Sequence, residues 1–143
     1  MTVYGETSFL FSLYGKDAFS TRARRITDLL AGPISLSALT LFEFENAARF
    51  AAWRRVIAPA QAAAMLQDAR SDLGAGYLLL PACDHVEVVR QAREISARFT
   101  LKGGHRAYDV LNVAAALTLG AERFLTFDDN QRTLARRVGL DPG

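Results

Sequence analysis

Short runs rich in β-branched, aromatic and leucine side chains, TVY at 2–4, ISLS at 34–37, YLLL at 77–80 and RFLTF at 123–127, alternate along the chain with long stretches rich in Ala, Leu and Arg. The short runs read as buried strands, and the long ones carry the spacing of amphipathic helices. Helices are predicted over 18–31, 39–55, 59–74, 84–99, 105–119 and 129–138, with Pro33, Pro59 and Pro81 marking breaks or starts. No helix is assigned between the first strand and residue 18. The alternation predicts βαβ units and a parallel sheet covered on both faces, an α/β fold. The segment HRAYDVLNVAAALTL at 105–119 is apolar almost all the way round, as a helix enclosed by other elements must be. No repeat, low-complexity tract or linker interrupts the pattern, so residues 1–143 are read as one domain.

Composition narrows the class without deciding it. Of 143 residues, 50% are hydrophobic and 22% charged, enough apolar side chain for a substantial core. A formal net charge of +2 and a pI near 9.0 permit a polyanionic partner but fall short of a nucleic-acid-binding tail. The single cysteine, Cys83, has no intramolecular partner and no evident base beside it, which favours a reducing cytoplasm and argues against a thiol nucleophile. There is no basic leader with a cleavage site and no apolar run of membrane-spanning length, so a soluble protein with no membrane partner is expected.

The acids change the picture more. In an open parallel sheet, ligands bind beyond the carboxyl ends of the strands. Glu6 directly follows TVY, Asp128 and Asp129 directly follow RFLTF, Glu43 lies near the start of the helix after ISLS, and Asp109 lies near the start of the buried helix. Four segments therefore bring acids to one rim. Glu43 and Glu45 are roughly 160° apart at about 100° per residue and cannot share a role. Glu45 has Arg49 four residues on, the favourable order for a solvated pair. Glu43 has no base three or four positions away and is read as the inward, functional acid. For Asp109, a contact to Arg106 or His105 is the structural alternative.

Carboxylates brought close together repel unless a cation lies between them. Every candidate ligand is an oxygen, which favours Mg²⁺ or Mn²⁺ over zinc. Such an ion supports phosphodiester hydrolysis. Ser8, Asn112 and Thr126 are placed to hold waters or orient the carboxylates, although hydroxyls near helix starts also serve as caps. Basic residues flank the acids at Arg22, Arg24 and Arg25, at Lys102 to Arg106, and at Arg132, Arg136 and Arg137. They are placed to track phosphates without reading bases. Tyr14, Phe19, Phe50 and Trp53 are read first as core packing or partner surface, and second as stacking groups.

Four segments, YGETSFL, LTLFEFENAARF, RAYDVLNVAAAL and FLTFDDNQRTLA, in this order and at this spacing, resemble the PIN-domain family, specifically the VapC-like toxins of bacterial toxin–antitoxin pairs. The resemblance spans nearly the whole chain. It implies a three-layer α/β/α sandwich with a mostly parallel sheet of about five strands and a Mg²⁺- or Mn²⁺-dependent ribonuclease site, for which single-stranded or looped RNA is the expected substrate and Arg106 and Arg132 are the RNA-binding candidates. The catalytic acids it implies are Glu6, Glu43, Asp109 and Asp128, with Glu6, Asp109 and Asp128 as metal ligands. It favours Asp128 over Asp129, which is read as the cap of the next helix, and it puts Thr126 at a position commonly filled by Thr or Ser. It also implies a homodimer and a cognate antitoxin that covers the helices at 18–31 and 39–55.

One residue departs from the family pattern. Members usually carry aspartate where this chain has Glu6. The extra methylene moves the carboxylate by about 1.5 Å, and Mg²⁺ tolerates little distortion of its shell. Gly5 is expected to let the backbone retreat, giving retained metal binding with relaxed geometry. The alternative is a catalytically weak PIN fold kept as an interaction module. A receiver-like phosphoacceptor domain ranks last, because it needs an early aspartate and a late lysine, and no lysine follows Lys102.

Overall fold

Successive side chains of a strand point to opposite faces of its sheet, and this alternation builds two cores. In a computed structural model that describes residues 1–143, β1 (Val3–Gly5) sends Val3 to one face and Tyr4 to the other. β4 (Arg123–Leu125) does the same with Leu125 and Phe124. With β2 (Ile34–Ser35) and β3 (Leu78–Leu79), these form a parallel sheet of four strands in the order β3-β2-β1-β4. Val3 is in register with Ile34 on one side and Arg123 on the other. Outside β4 the tail adds a single parallel bridge, Arg123 to Asp141, which is all there is of a fifth row.

Helices cover both faces. On the Val3 face lie α1 (Thr7–Tyr14), α2 (Ser20–Asp28), α3 (Ala38–Trp53) and α4 (Pro59–Ala75), packed through Phe9, Leu10, Ala23, Phe44, Ala48, Ala62 and Met65. On the Tyr4 face lie α5 (His85–Ile95), α7 (Ala107–Thr118) and α8 (Asp129–Arg137), through Val88, Val110, Val113 and Leu134. The result is the α/β/α sandwich expected. Between α5 and α7 the predicted helix 84–99 passes into a π-helical turn, Ser96–Thr100, and a short α6 (Leu101–Gly103). The buried face of α7 includes Asn112 through Ala116. No helix is long and apolar enough to cross a membrane.

The chain leaves β1 toward β2 and β3 on one side and returns to pair β4 on the other. The crevice at the carboxyl ends of β1 and β4 is therefore the topological switch point, where open α/β sheets bind ligands. Gly5 closes β1 where space is short. A Cβ there would lie 2.7 Å from Ile34 Cγ2, so any larger residue would force the Ile34 side chain or the strands to shift.

Candidate active site

Glu6 is both the residue after β1 and the N-cap of α1, a helix the hydrophobic pattern did not announce. Its backbone N–H donates to Leu125 O at 3.1 Å, tying it to the end of β4. Its carboxylate is fully buried, at 0% exposure, and accepts from the Ser8 backbone N–H, from Ser8 Oγ at 2.9 Å, from Thr126 Oγ1 at 2.9 Å and from Gln131 Nε2 at 3.2 Å. None of these donors is a cation. Burial pushes the carboxyl up to about 7; the Ser8 and Thr126 bonds oppose the rise and the charge of Glu43 adds to it. Ser8 Oγ in turn accepts from Phe127 N at 3.0 Å and Thr126 Oγ1 from Asp128 N at 3.0 Å, so the start of α1 and the end of β4 are one hydrogen-bonded unit.

Glu43 is reached from a different side. Half-buried on α3, it accepts through Oε1 from Thr7 Oγ1 and from Asn112 Nδ2, the latter at 2.9 Å. Asn112 Oδ1 accepts from Thr40 Oγ1 at 2.8 Å, and Thr40 Oγ1 lies 2.7 Å from the Tyr4 hydroxyl, which is 2.8 Å from Ser37 Oγ. A carboxylate only accepts, so it fixes the direction of the row. Thr40 donates to Asn112, Asn112 donates to Glu43, and the fully buried Tyr4, Thr40 and Asn112 hold the acid.

Asp109, half-buried in the first turn of α7, is raised first by burial, then by the charge of Asp128, with Glu43 adding to it; the Arg106 backbone and charge oppose the rise. Asp128, half-buried, is itself the N-cap of α8 and accepts from Gln131 N at 2.8 Å. Asp129, read from sequence as that cap, is instead the first helical residue and is exposed. Glu6, Glu43, Asp109 and Asp128 all line one cleft of about 450 Å³ that no lysine or arginine lines. The only ion pairs in the molecule join Arg90 to Glu87 and Glu94. The expected Glu45–Arg49 pair is therefore not made, and Glu45 is half-buried, lining a small cavity with Leu41, Leu66 and Arg70.

The residues fit a hard divalent cation in kind and charge. The donors are oxygens, no lysine or arginine lines the cleft, and Asp109 is raised by burial and then by the charges of Asp128 and Glu43. Gln131 Oε1 is buried in the cleft wall with no donor, a position a metal-bound water can satisfy. As they stand, no three of these acids converge tightly enough to hold an ion. Glu6 is the least free of the four, because both of its oxygens already accept hydrogen bonds.

Among the candidate RNA contacts, Arg106 is exposed at the N-cap of α7. Arg132 donates to the carbonyls of Thr126 at 2.9 Å and Gly143 at 3.3 Å, fastening the tail to β4. Sequence reasoning did not single out Asp17, Thr7 or Gln131, which also line the cleft. Recognition of α1 would have pointed to Asp17, which follows it and accepts from Ser12 Oγ at 2.8 Å. Gln131 carries no local signal, since its partner lies 125 positions away.

A family model described as the PIN domain matches residues 3–137. Among solved structures, the fold is similar to that of Mycobacterium tuberculosis VapC20, described as a sarcin-ricin loop cleaving toxin. The TM-score is 0.74 at 18% identity, covering 99% of this chain and 98% of that one. No curated protein matches by sequence.

Proposed function

The chain belongs to the PIN-domain family, and on that premise we propose that it is a Mg²⁺- or Mn²⁺-dependent endoribonuclease, the toxin of a toxin–antitoxin pair, acting on cytoplasmic RNA. The observation that carries this reading is the meeting of carboxylates from four separate segments in one cleft with no cation among them. Asp109, Asp128 and Glu43 are the residues to hold the ion, with Glu6 bracing the wall behind them. When bound, the ion supplies a hydroxide from water and stabilises charge on the phosphoryl oxygens. The chain's own work is positional. Asn112 orients Glu43, Ser8 and Thr126 hold the Asp128 turn in place, and Arg106 at the mouth meets a phosphate of the incoming strand. An acidic cleft needs an accessible phosphodiester, which suits a single-stranded or looped RNA rather than a duplex.

The partner surface we assign to α2 and α3. On α3, Phe42 and Phe50 are exposed, and Trp53 is 76% exposed beside Phe50 with ring centroids 5.5 Å apart. Such an aromatic face suits a second copy of the chain or an antitoxin.

A second reading, a catalytically weak interaction module, is favoured by the engaged carboxylate of Glu6. One experiment separates the two. Ribonuclease activity and Mn²⁺ calorimetry are measured on the native chain and on Asp109→Asn. The nuclease reading expects Mn²⁺-dependent cleavage, reduced by about 100-fold or more in the variant together with weakened Mn²⁺ binding. Equal Mn²⁺ isotherms and no cleavage by either protein would leave the interaction module.

A further inference from the structure

Three phenylalanine rings form a ladder that climbs out of the core to the cleft. Phe9, buried, stacks on Phe127 with centroids 5.4 Å apart, and Phe127 stacks on Phe19 at 4.9 Å with planes 15° apart. Phe19, the outer rung, is 45% exposed and lines the same cleft as the four acids, while Phe127 directly precedes Asp128. A lone exposed aromatic is ordinary on a protein surface. This ring is distinguished by being held: Phe19 N donates to Asp17 Oδ1 at 2.8 Å, and Asp17 Oδ2 accepts from Ser12 Oγ at 2.8 Å. It stands as a fixed, flat, apolar surface at the mouth of an otherwise polar cleft. Three residues further on, Arg22 has its guanidinium 6.0 Å from the Phe127 ring centroid and lines a separate cavity with Arg123 and Arg132. A planar apolar ring lining a carboxylate cleft matches one part of a nucleotide, a base that stacks.

We propose that Phe19 forms a nucleotide subsite that takes one unpaired base of an RNA substrate, stacked on the Phe19 ring. The subsite rests on the ribonuclease reading and extends it. Stacking accepts any base, since each has a π-face, but it needs the base to be free of its duplex. The subsite therefore selects unpaired RNA without reading its sequence.

The test compares the native chain with Phe19→Leu and Phe19→Trp, using a single-stranded oligoribonucleotide, the same strand annealed to its complement, and inorganic polyphosphate as a base-free polyanion. Losing one base–aromatic stack weakens binding by about 5- to 150-fold. Phe19→Leu is expected to raise KM for the single strand in that range, to narrow the preference over duplex, and to leave Mn²⁺ affinity and polyphosphate inhibition unchanged. Phe19→Trp is expected to restore the single-strand KM. An unchanged KM in Phe19→Leu overturns the subsite while cleavage by the native chain keeps the nuclease reading. Equal loss of RNA, polyphosphate and Mn²⁺ binding in both variants also overturns it, by making Phe19 a packing residue. If the native chain with Mn²⁺ neither cleaves nor binds the single strand, the nuclease reading fails and the subsite with it.

Discussion

Two glutamates in one cleft show how much a residue's role depends on its donors. The Glu6 carboxylate, which at the sequence level suggested a displaced metal ligand, is held by Ser8, Thr126 and Gln131. Glu43 instead accepts from Thr7 and from one amide, Asn112, behind which stand Thr40 and Tyr4. Asn112→Ala removes one of the two donors to Glu43 and the acceptor of Thr40 in a fully buried row. The expected loss of stability is about 2 kcal/mol by urea titration, and Mn²⁺ affinity is expected to fall by about 10-fold as Glu43 loses its orientation. Wild-type Mn²⁺ binding in that variant would show that Glu43 does not need its amide partner. The acidic character of these positions was legible from residue type and from their place after strands. The donors were not, because Asn112 and Gln131 lie in helices remote in sequence from the acids they hold.

At the scale of elements, periodicity located every strand and six of the longer helices, and failed where an element is short or its ends are unusual. α1 is eight residues, mostly apolar, and such a run carries no period that separates helix from strand. Its omission concealed that Glu6 is a cap and that Asp17 and Phe19 come back to the cleft. The helix predicted over 39–55 ends two residues early, at Trp53, with Arg54 as its cap and Arg55 at φ 60°, the left-handed region that favours glycine. For an exposed arginine this conformation costs about 1–2 kcal/mol, partly offset in glycine by its greater freedom when unfolded. Arg55→Gly is therefore expected to stabilise the fold by about 0.5–1 kcal/mol, read as a higher thermal midpoint. A lower midpoint would mean that the Arg55 side chain contributes more than its backbone costs.

For the whole molecule, the cleft makes folding and metal binding two sides of one electrostatic problem. Glu6 titrates near 7 in the fold against an ordinary 4.5, and Asp109 is raised in the same direction, so between those values the folded chain binds more protons than the unfolded one. Without metal, stability is greatest below about pH 4.5 as far as these groups are concerned and falls as pH rises toward 7, by about 3 kcal/mol for Glu6. Urea titrations in chelator are expected to show this decline, Glu6→Gln to flatten it, and Mn²⁺ to offset it at neutral pH by binding only the folded state. A metal-free protein whose stability rises over the same range would contradict the burial of a charge at Glu6. The sequence by itself determined the strands, the enclosed helix predicted over 105–119 and the identity of the acids, because side-chain period and charge are local properties. Only the tertiary structure decided that β1 and β4 lie side by side, that Glu6 is fastened by residues 120 and 125 positions away, and that Phe9, Phe127 and Phe19 stack toward the cleft. Those relations arise from chain crossings and packing between distant segments, which leave no mark on the order of neighbouring residues.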